Sequence, residues 1–340
     1  MSLRRLRSAG KNAARQESDL VQASTVRPAS MDWLPPRPNQ TSSCAIRPPG
    51  NKLAGLTAAD VTLLRKKQRA LKTKAQSTVM AIDDLLDHHR ASLAATLIFA
   101  QYSAGTAVCI SPTGLILTCA HCIAEDEQEY HEFEFTWLLS YSGTPVQARC
   151  LFWDPIQDLA LLQIEAVEET RPANTNLVPT FASINIAKRQ PKIKTSLYCI
   201  GQPGRDDLES AVSKKTTYNL FEISHGRFQG LVPDTNLQDN SEIGCLKHDC
   251  WTYWGHSGAP LMNESTGELV GLHSSWDDQT TMRHGIPLVA VRAFLEEFAL
   301  KKNHTACSEI GAVLDSVVPA GGLPMAGSSA SFAMTLDDTL

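Results

Sequence analysis

Three short segments, far apart along the chain, carry residues that together could activate a serine. His121 ends an apolar run in GLILTCAHC, Asp158 begins another in DPIQDLALLQIE, and Ser257 lies between two glycines in YWGHSGAPLM. A serine hydroxyl is a poor nucleophile at neutral pH and needs a neighbouring base, which a carboxylate holds in the correct tautomer. These residues predict a nucleophilic Ser257, with His121 as its base and Asp158 as the orienting carboxylate.

The segments that must position these residues predict an all-β fold. From about residue 92, short apolar runs such as TAVCI, LILTC, LALLQI and ELVGLHS are separated by Gly, Pro, Asn and Asp. Many short strands with regular turns are typical of a β-sandwich or a barrel. The region ends in IPLVAVRAFLEEFALKK, which predicts an amphipathic helix over 288–302.

The two ends of the chain have a different composition. Residues 1–53 are rich in Arg, Ser, Pro and Gln, and residues 303–340 are rich in Gly, Ser and Ala. Such segments bury too little apolar surface to offset the entropy of ordering them. We therefore expect a disordered N-terminal tail and a low-complexity C-terminal tail.

Residues 54–91 predict a long helix, extending from about 58 to about 89. Thr57 is a candidate N-cap, and Asp60 follows it three residues later, as in a capping box. An apolar stripe with 3-4 spacing follows. The stripe could pack on the main domain, or it could form a short coiled coil that joins two copies of the chain. We expect the helix to lie outside the catalytic unit, with a homo-oligomer through 58–89 as one use of it.

The region from about 92 to 300 resembles the trypsin-like (chymotrypsin-fold) serine peptidases through TCAHC, DLALL and GHSGAP, in that order. CIGQPG, LKHDCWTYWGHSGAP and HGIPL are similar to glutamyl endopeptidase-like and HtrA-like members, although no PDZ-sized segment follows residue 302. The resemblance implies a protease domain over 92–302 made of two antiparallel six-stranded β-barrels, about 92–170 and 194–287. The active site would lie in the cleft between the barrels.

The same resemblance implies a serine endopeptidase that forms an acyl-enzyme intermediate and needs no cofactor. The backbone N–H groups of Gly255 and Ser257 would form the oxyanion hole, which the sharp turn allowed by glycine favours. His256 stands where the family usually has Asp or Asn, so activation by a newly cut N-terminus is disfavoured. We expect a structural role for His256.

A preference for an acidic residue before the cleaved bond is implied by two positions. Thr252 and His273 match the residues that hold the substrate carboxylate in glutamyl endopeptidases. A hydrogen bond to a carboxylate is stronger than one to a neutral acceptor. The alternative is that His273 is only a strand residue satisfied by a backbone carbonyl. We expect no Lys or Arg near this pocket, whereas Asp277 and Asp278 would oppose an acidic substrate if they faced the cleft.

Nine cysteines without a signal peptide favour a reducing compartment and free thiols. Cys119 and Cys122, beside the histidine, are most simply small apolar residues, and we expect no metal. The alternative is a zinc site, built from Cys119, Cys122, Cys245 and Cys250.

The resemblance implies protein or peptide substrates as the expected partners. At 340 residues and a net charge of −5, the chain gives no general reason to bind nucleic acid. No apolar run reaches the roughly 20 residues that a membrane span needs. We expect an intracellular, cytoplasmic protein, with mitochondrial import as the alternative because the first residues are basic. A protease fold that serves only as a silent interaction scaffold remains the rival function.

Overall fold

The structure is a computed structural model that describes residues 44–47, 53, 55–82, 87–101, 104–133, 135–168, 179–206, 214–301 and 304–315. Its strands are β1 (Ala45–Arg47), β2 (Thr96–Phe99), β3 (Thr106–Cys109), β4 (Leu115–Cys119), β5 (Thr136–Ser140), β6 (Pro145–Asp154), β7 (Leu159–Glu168), β8 (Ser196–Gly201), β9 (Glu222–Leu231), β10 (Leu246–His248), β11 (Pro260–Asn263), β12 (Leu269–Trp276) and β13 (Arg283–Pro287). Its α-helices are α1 (Ala58–Ile82), α2 (Asp87–Ala95), α3 (Glu127–Glu132), α4 (Leu288–Lys301) and α5 (His304–Asp315). Within this part of the chain, no helix has the length and apolarity needed to cross a membrane.

The strands form two closed barrels, as the all-β prediction requires. In the first barrel the strand order is β7-β4-β3-β2-β5-β6, and β6 pairs with β7 to close it. In the second the order is β10-β13-β12-β11-β8-β9, closed by β9 with β10. All of these pairings are antiparallel. The prediction of two antiparallel six-stranded barrels followed by a C-terminal helix, α4, is therefore confirmed.

The pairing of β4 with β7 brings together two parts of the predicted site. Cys119, the last residue of β4, is opposite Leu159, the first residue of β7. Because the strands are antiparallel, His121 and Asp158 follow and precede this pair at the same end of the barrel.

β1 lies inside the segment for which we expected disorder. It pairs in parallel with β7, with Ala45 opposite Ala166 and Arg47 opposite Glu168. Cys44 and Ile46 are partly buried against the core. A strand with unpaired N–H and C=O groups can recruit three residues of almost any composition, which composition alone does not reveal. The expected disorder of 1–53 is therefore wrong for this strand, and the rest of the segment lies largely outside the described residues.

α1 begins as predicted and packs against the barrels. The N–H group of Asp60 donates to Thr57 Oγ1 (3.2 Å) and the N–H group of Thr57 donates to Asp60 Oδ2 (3.0 Å), which forms a capping box. Leu64 and Leu71 are buried, and Gln68 Nε2 donates to the carbonyl of Gly143 in the first barrel (3.0 Å). The first half of the stripe is thus covered within the chain, which favours the packing alternative over the coiled coil.

The remainder of the predicted long helix appears as α2, and residues 83–86 between the two helices lie outside the described residues. His89, Ser92 and Leu93 of α2 are buried. The expectation that 58–89 lies outside the catalytic unit is wrong, because both helices bury side chains against the barrels.

α5 lies in the segment predicted to be a low-complexity tail. Ile310, Val313 and Leu314 are buried at i, i+3 and i+4, which is the spacing of a helix that packs one face. Ser111 of the first barrel donates to Glu309 Oε1 (3.2 Å). The bias toward small residues beyond 315 obscured this short amphipathic pattern, and residues 316–340 lie outside the described residues.

Candidate active site

His121 lies in a single 3-10 turn, Ala120–Cys122, directly after β4. Its Nδ1 is 2.8 Å from Asp158 Oδ1 and 3.0 Å from Oδ2. Its backbone N–H group also donates to Asp158 Oδ1 (3.2 Å). The carboxylate therefore holds both the ring and the main chain of His121. Because an ionised carboxylate only accepts hydrogen bonds, this contact places the proton of a neutral ring on Nδ1 and leaves Nε2 as the basic nitrogen.

Asp158 adopts a backbone conformation that is uncommon outside glycine. Its φ is +54°, in the left-handed region that Asp tolerates better than most residues. The preceding turn is shaped by Asp154, whose Oδ1 accepts from the N–H groups of Ile156 (2.8 Å) and Gln157 (2.9 Å). The carbonyl of Asp158 accepts from the N–H group of Ala120 (3.0 Å), which joins the two loops.

Ser257 lies in the turn between β10 and β11, where two glycines allow the chain to bend. Gly255 has a φ of +98° and Gly258 a φ of +81°. A Cβ on Gly258 would lie 2.1 Å from the carbonyl oxygen of Thr106, so a side chain there would clash with the first barrel. The two glycines thus let the turn approach His121 from the opposite barrel.

The hydroxyl of Ser257 does not yet contact the base. Its Oγ donates a long hydrogen bond to the carbonyl of Ser274 (3.4 Å). No hydrogen bond joins Ser257 to His121 among the described residues. Catalytic hydrogen bonds are often long or misaligned without substrate and tighten in the reacting complex.

The N–H groups of Gly255 and Ser257 are oriented by the carbonyls that precede them. The carbonyl of Trp254 accepts from the N–H group of Gly204 (2.5 Å), and the carbonyl of His256 accepts from the N–H group of Ala259 (2.7 Å). In a trans peptide the N–H group points away from the carbonyl, so each N–H group points away from these contacts. Neither N–H group donates to another described residue, and both residues line the pocket that contains His121. This is the orientation that the predicted oxyanion hole requires.

The predicted site residues of both barrels meet in one pocket. It is lined by His121, Asp158, Thr252, Gly255, Ser257 and His273, together with Asn240, Ser241, Glu242, Tyr253, Trp254, Ser274, Ser275, Trp276 and Arg283. All six residues assigned a role from the sequence are therefore brought together. Asp277 and Asp278, which might have opposed an acidic substrate, do not line this pocket.

Arg283 and Glu242 are charged pocket residues that the sequence did not predict. The expectation that no Lys or Arg lies nearby is wrong, because β12 and β13 pair with Trp276 opposite Arg283. The Nε of Arg283 is buried and has no hydrogen-bond partner among the described residues. The only signal in the sequence is a lone arginine before the apolar strand HGIPL, and its position depends on the strand register.

Three buried histidines cluster near β12, and of these His273 lines the pocket while His248 and His256 lie behind it. His273 Nδ1 is 3.1 Å from His248 Nε2, and the ring of His256 lies 6.4 Å from that of His273. Burial lowers the pKa of His248 to about 3 and that of His256 to about 4. Burial lowers the pKa of His273 well below its usual range, and His248, His256, Arg283 and His121 lower it further. Without a bound anion, His273 is therefore neutral at neutral pH.

His256 has the structural environment that we expected for it. The residue is 1% exposed, and its Nδ1 lies 3.1 Å from the backbone nitrogen and 3.0 Å from the carbonyl oxygen of Tyr253. It does not line the pocket that contains His121 and Ser257. Its imidazole therefore braces the turn that carries Ser257.

Helix α1 is connected to the oxyanion turn by a buried lysine. Lys67 is 1% exposed, and its Nζ donates to the carbonyl of Phe99 (2.5 Å) and to Gln202 Oε1 (3.4 Å). The N–H group of Phe99 donates to the carbonyl of Gly105 (3.1 Å), and the N–H group of Gly105 donates to the carbonyl of Gly255 (2.9 Å). A continuous hydrogen-bonded path thus leads from α1 to the loop of Ser257.

The cysteines do not support the four-cysteine zinc alternative. The eight cysteines whose side chains the structure describes are free thiols. The groups able to hold a metal within the described residues include Cys119 with His121 and Asp158, but they do not include Cys245 or Cys250. Burial raises the pKa of Cys119 well above its usual range, so it resists forming the thiolate that binds zinc.

The comparison with protein families matches residues 105–272 to the trypsin-like peptidase domain. No curated protein sequence matches the chain significantly. Similar solved structures include Rv3671c from M. tuberculosis, with 16% identity, covering 64% of this chain and 93% of that chain at a TM-score of 0.44. Another is the serine endoprotease from Yersinia pestis, with 20% identity, covering 63% of this chain and 67% of that chain at a TM-score of 0.44.

The family match spans the predicted base and carboxylate as well as the predicted nucleophile. It also spans strands of both closed barrels, from β3 to β12. The family assignment depends on this match and on the barrels, rather than on the distant solved structures. The chain therefore contains a trypsin-like peptidase domain with the chymotrypsin fold, and it is a serine-type endopeptidase.

Proposed function

We propose that this endopeptidase cleaves through Ser257, His121 and Asp158, and that it prefers an acidic residue before the cleaved bond. The observation that carries the first part is the meeting of three distant segments in one pocket, with His121 Nδ1 held 2.8 Å from Asp158. The basic Nε2 of His121 is then left to take the proton of Ser257 Oγ.

In the proposed reaction, Ser257 Oγ attacks the carbonyl carbon of the substrate peptide and transfers its proton to His121 Nε2. The N–H groups of Gly255 and Ser257 stabilise the oxyanion that forms. His121 then donates its proton to the departing amine, which leaves an acyl-enzyme. Water hydrolyses this ester, with His121 again acting as base, and restores the Ser257 hydroxyl.

The preference for an acidic residue is supported by Arg283, whose charge favours a substrate carboxylate, whereas Glu242 in the same pocket opposes it. Arg283 carries a permanent positive charge in the pocket, and its buried Nε has no partner among the described residues. A substrate carboxylate would provide the missing acceptor, while Thr252 and His273 could donate further hydrogen bonds. The carboxylate would also raise the pKa of His273 from its lowered value, because an opposite charge favours the imidazolium.

The triad proposal is tested by active-site labelling. A fluorophosphonate should label the wild-type protein, and Ser257→Ala should abolish the labelling because the nucleophilic oxygen is gone. Ser274→Ala is a matched control, since its carbonyl remains and only a neighbouring hydroxyl is lost. Equal labelling of wild type and Ser257→Ala would refute the assignment of Ser257. A folded wild-type protein that is not labelled would favour the silent scaffold.

A further inference from the structure

A second cluster of histidines with a carboxylate lies away from the active-site pocket. It consists of His88 and His89 in α2, His225 in β9 and Glu264 just after β11, and we call it the His–Glu cluster. None of these residues lines the pocket that contains Ser257. The cluster therefore joins α2, which precedes the first barrel, to two parts of the second barrel.

The carboxylate of Glu264 is shared between two imidazoles. Its Oε1 is 2.9 Å from His89 Nε2, and its Oε2 is 3.1 Å from His225 Nδ1. The rings of His89 and His225 lie 5.5 Å apart between centroids. Each oxygen thus faces an imidazole nitrogen that could bind a metal ion.

The third imidazole has one nitrogen without a hydrogen-bond partner in the described part of the chain. His88 Nε2 is buried without a hydrogen-bond partner among the described residues, although the ring of His88 lies only 4.4 Å from that of His89. A buried polar atom without a partner is uncommon and needs a physical reason. No described contact joins this nitrogen to Glu264, whereas a cation held between His88, His89 and Glu264 would bind it.

The distances suit a small divalent cation. One ligand atom each from His88, His89 and Glu264 lies within 4.8 Å of the others. Zinc binds imidazole nitrogen and carboxylate oxygen at about 2.0–2.2 Å, which separates tetrahedral ligand atoms by roughly 3.4 Å. Small side-chain rotations would close this difference.

We propose that the His–Glu cluster is a zinc site. His88, His89 and Glu264 already group their ligand atoms, and His225, 3.1 Å from Glu264 Oε2, becomes the fourth ligand through a rotation of its exposed side chain. Imidazole with carboxylate is a ligand set that suits zinc, whereas calcium and magnesium require oxygen ligands. The side chains of His225 and Glu264 are 59% and 27% exposed, which gives the ion a path from solvent. The bound ion cross-links α2 to the second barrel, and its role is structural because four protein ligands leave no open position.

The surroundings of the cluster could orient one of these ligands. Tyr198 lies beside His89, with ring centroids 4.4 Å apart, and its hydroxyl is 2.8 Å from Ser92 Oγ. Its hydroxyl also donates to the backbone carbonyl of His88 (3.4 Å). Neighbours that fix the ligands of a metal site often contribute to its affinity.

Zinc binding can be measured on the full chain after dialysis against a chelator. Titration calorimetry with zinc chloride should give one ion per chain, and zinc should raise the melting temperature. Cobalt(II) should give the intense visible absorption of a tetrahedral site. Glu264→Gln and His225→Gln should each weaken zinc binding at least about tenfold, whereas His131→Gln, which removes an exposed histidine of α3, should not.

Three results would overturn the proposal. They are the absence of zinc binding by the wild-type chain, unchanged affinity in both cluster variants, and loss of binding in Asp158→Asn with retention in Glu264→Gln. The last result would place the ion on Cys119, His121 and Asp158, the other described group with suitable ligands. His225 is largely exposed, so circular dichroism should show that its variant keeps the fold.

Discussion

His121 and His89 each lie beside a carboxylate at nearly the same distance. His121 Nδ1 is 2.8 Å from Asp158, and His89 Nε2 is 2.9 Å from Glu264. The two pairs differ in which partner is more exposed. In the first pair His121 is 20% and Asp158 7% exposed. In the second pair His89 is 6% and Glu264 27% exposed.

The pairs differ in the number of imidazoles that the carboxylate contacts. Asp158 directs both oxygens at the one imidazole of His121, whose other nitrogen is left for the pocket and the Ser257 hydroxyl. Glu264 instead divides its oxygens between two imidazoles. A histidine–carboxylate contact therefore suits proton transfer at His121, where the free nitrogen faces the pocket of Ser257. It suits ion binding at Glu264, where a second imidazole shares the carboxylate.

The largest effect should come from breaking the active-site pair. Asp158→Asn should lower kcat by about 10⁴-fold, because the amide favours the wrong tautomer of His121. Zinc binding by the same variant should be unchanged. Steady-state kinetics on a peptide substrate, together with calorimetry, would measure both effects.

Glu165→Gln is the matched control for Asp158→Asn. Its carboxylate pairs with Arg149 on the first barrel, outside the pocket, so kcat should stay within about twofold. A loss of less than tenfold in Asp158→Asn would contradict the role assigned to the pair.

A smaller effect should follow from removing the charge that would meet a substrate carboxylate. Arg283→Gln should lower kcat/KM about 10–100-fold for substrates with Glu before the cut, which corresponds to one lost charged hydrogen bond. Substrates with Gln at that position should change by less than about threefold. Arg283→Lys should retain part of the preference, because it keeps the charge without the planar fork.

Labelling of Ser257 provides the control for the Arg283 variants, and it should persist in both of them. His273→Ala should also reduce the preference for Glu while labelling persists. A peptide-library profile dominated by Phe, Leu or Val before the cut would reject an acidic pocket, although it would leave the triad untouched.

The smallest effect concerns the pH dependence of stability that comes from Lys67, which is 1% exposed. Burial, with a smaller contribution from the charge of Arg205, lowers the pKa of Lys67 from 10.5 to about 7. Between pH 7 and 10.5 the unfolded chain then binds more protons than the folded one, so stability rises with pH and is lost as pH falls through this window. The slope should be at most about 1.4 kcal/mol per pH unit.

Lys67→Met should remove this slope, because it fills similar space without a titrating group. Urea unfolding at several pH values from 7 upward would measure it. Lys72→Met, at an exposed position on the same helix, should keep the wild-type slope. Equal slopes in wild type and Lys67→Met would show that the folded and unfolded states bind the Lys67 proton alike.

Local patterns were sufficient to predict part of the molecule. The Thr57 capping box, α4 and the strand content depend on residues close together along the chain, so propensity and spacing predicted them. The strand β1 and helix α5 were missed because their partners, β7 and α4, supply most of the reason that they form.

The sequence by itself determined the types of residue available for chemistry and their order along the chain: His121 after a strand, Asp158 before one and Ser257 between glycines. Tertiary structure alone decided that Arg283 lies in the pocket of Ser257 and that Lys67 is on the buried face of α1. It also decided that three histidines surround Glu264. These contacts join residues up to 175 positions apart, as between His89 and Glu264, and they depend on barrel closure and strand register. No local pattern encodes such distances, because register and closure are set by the packing of the whole core.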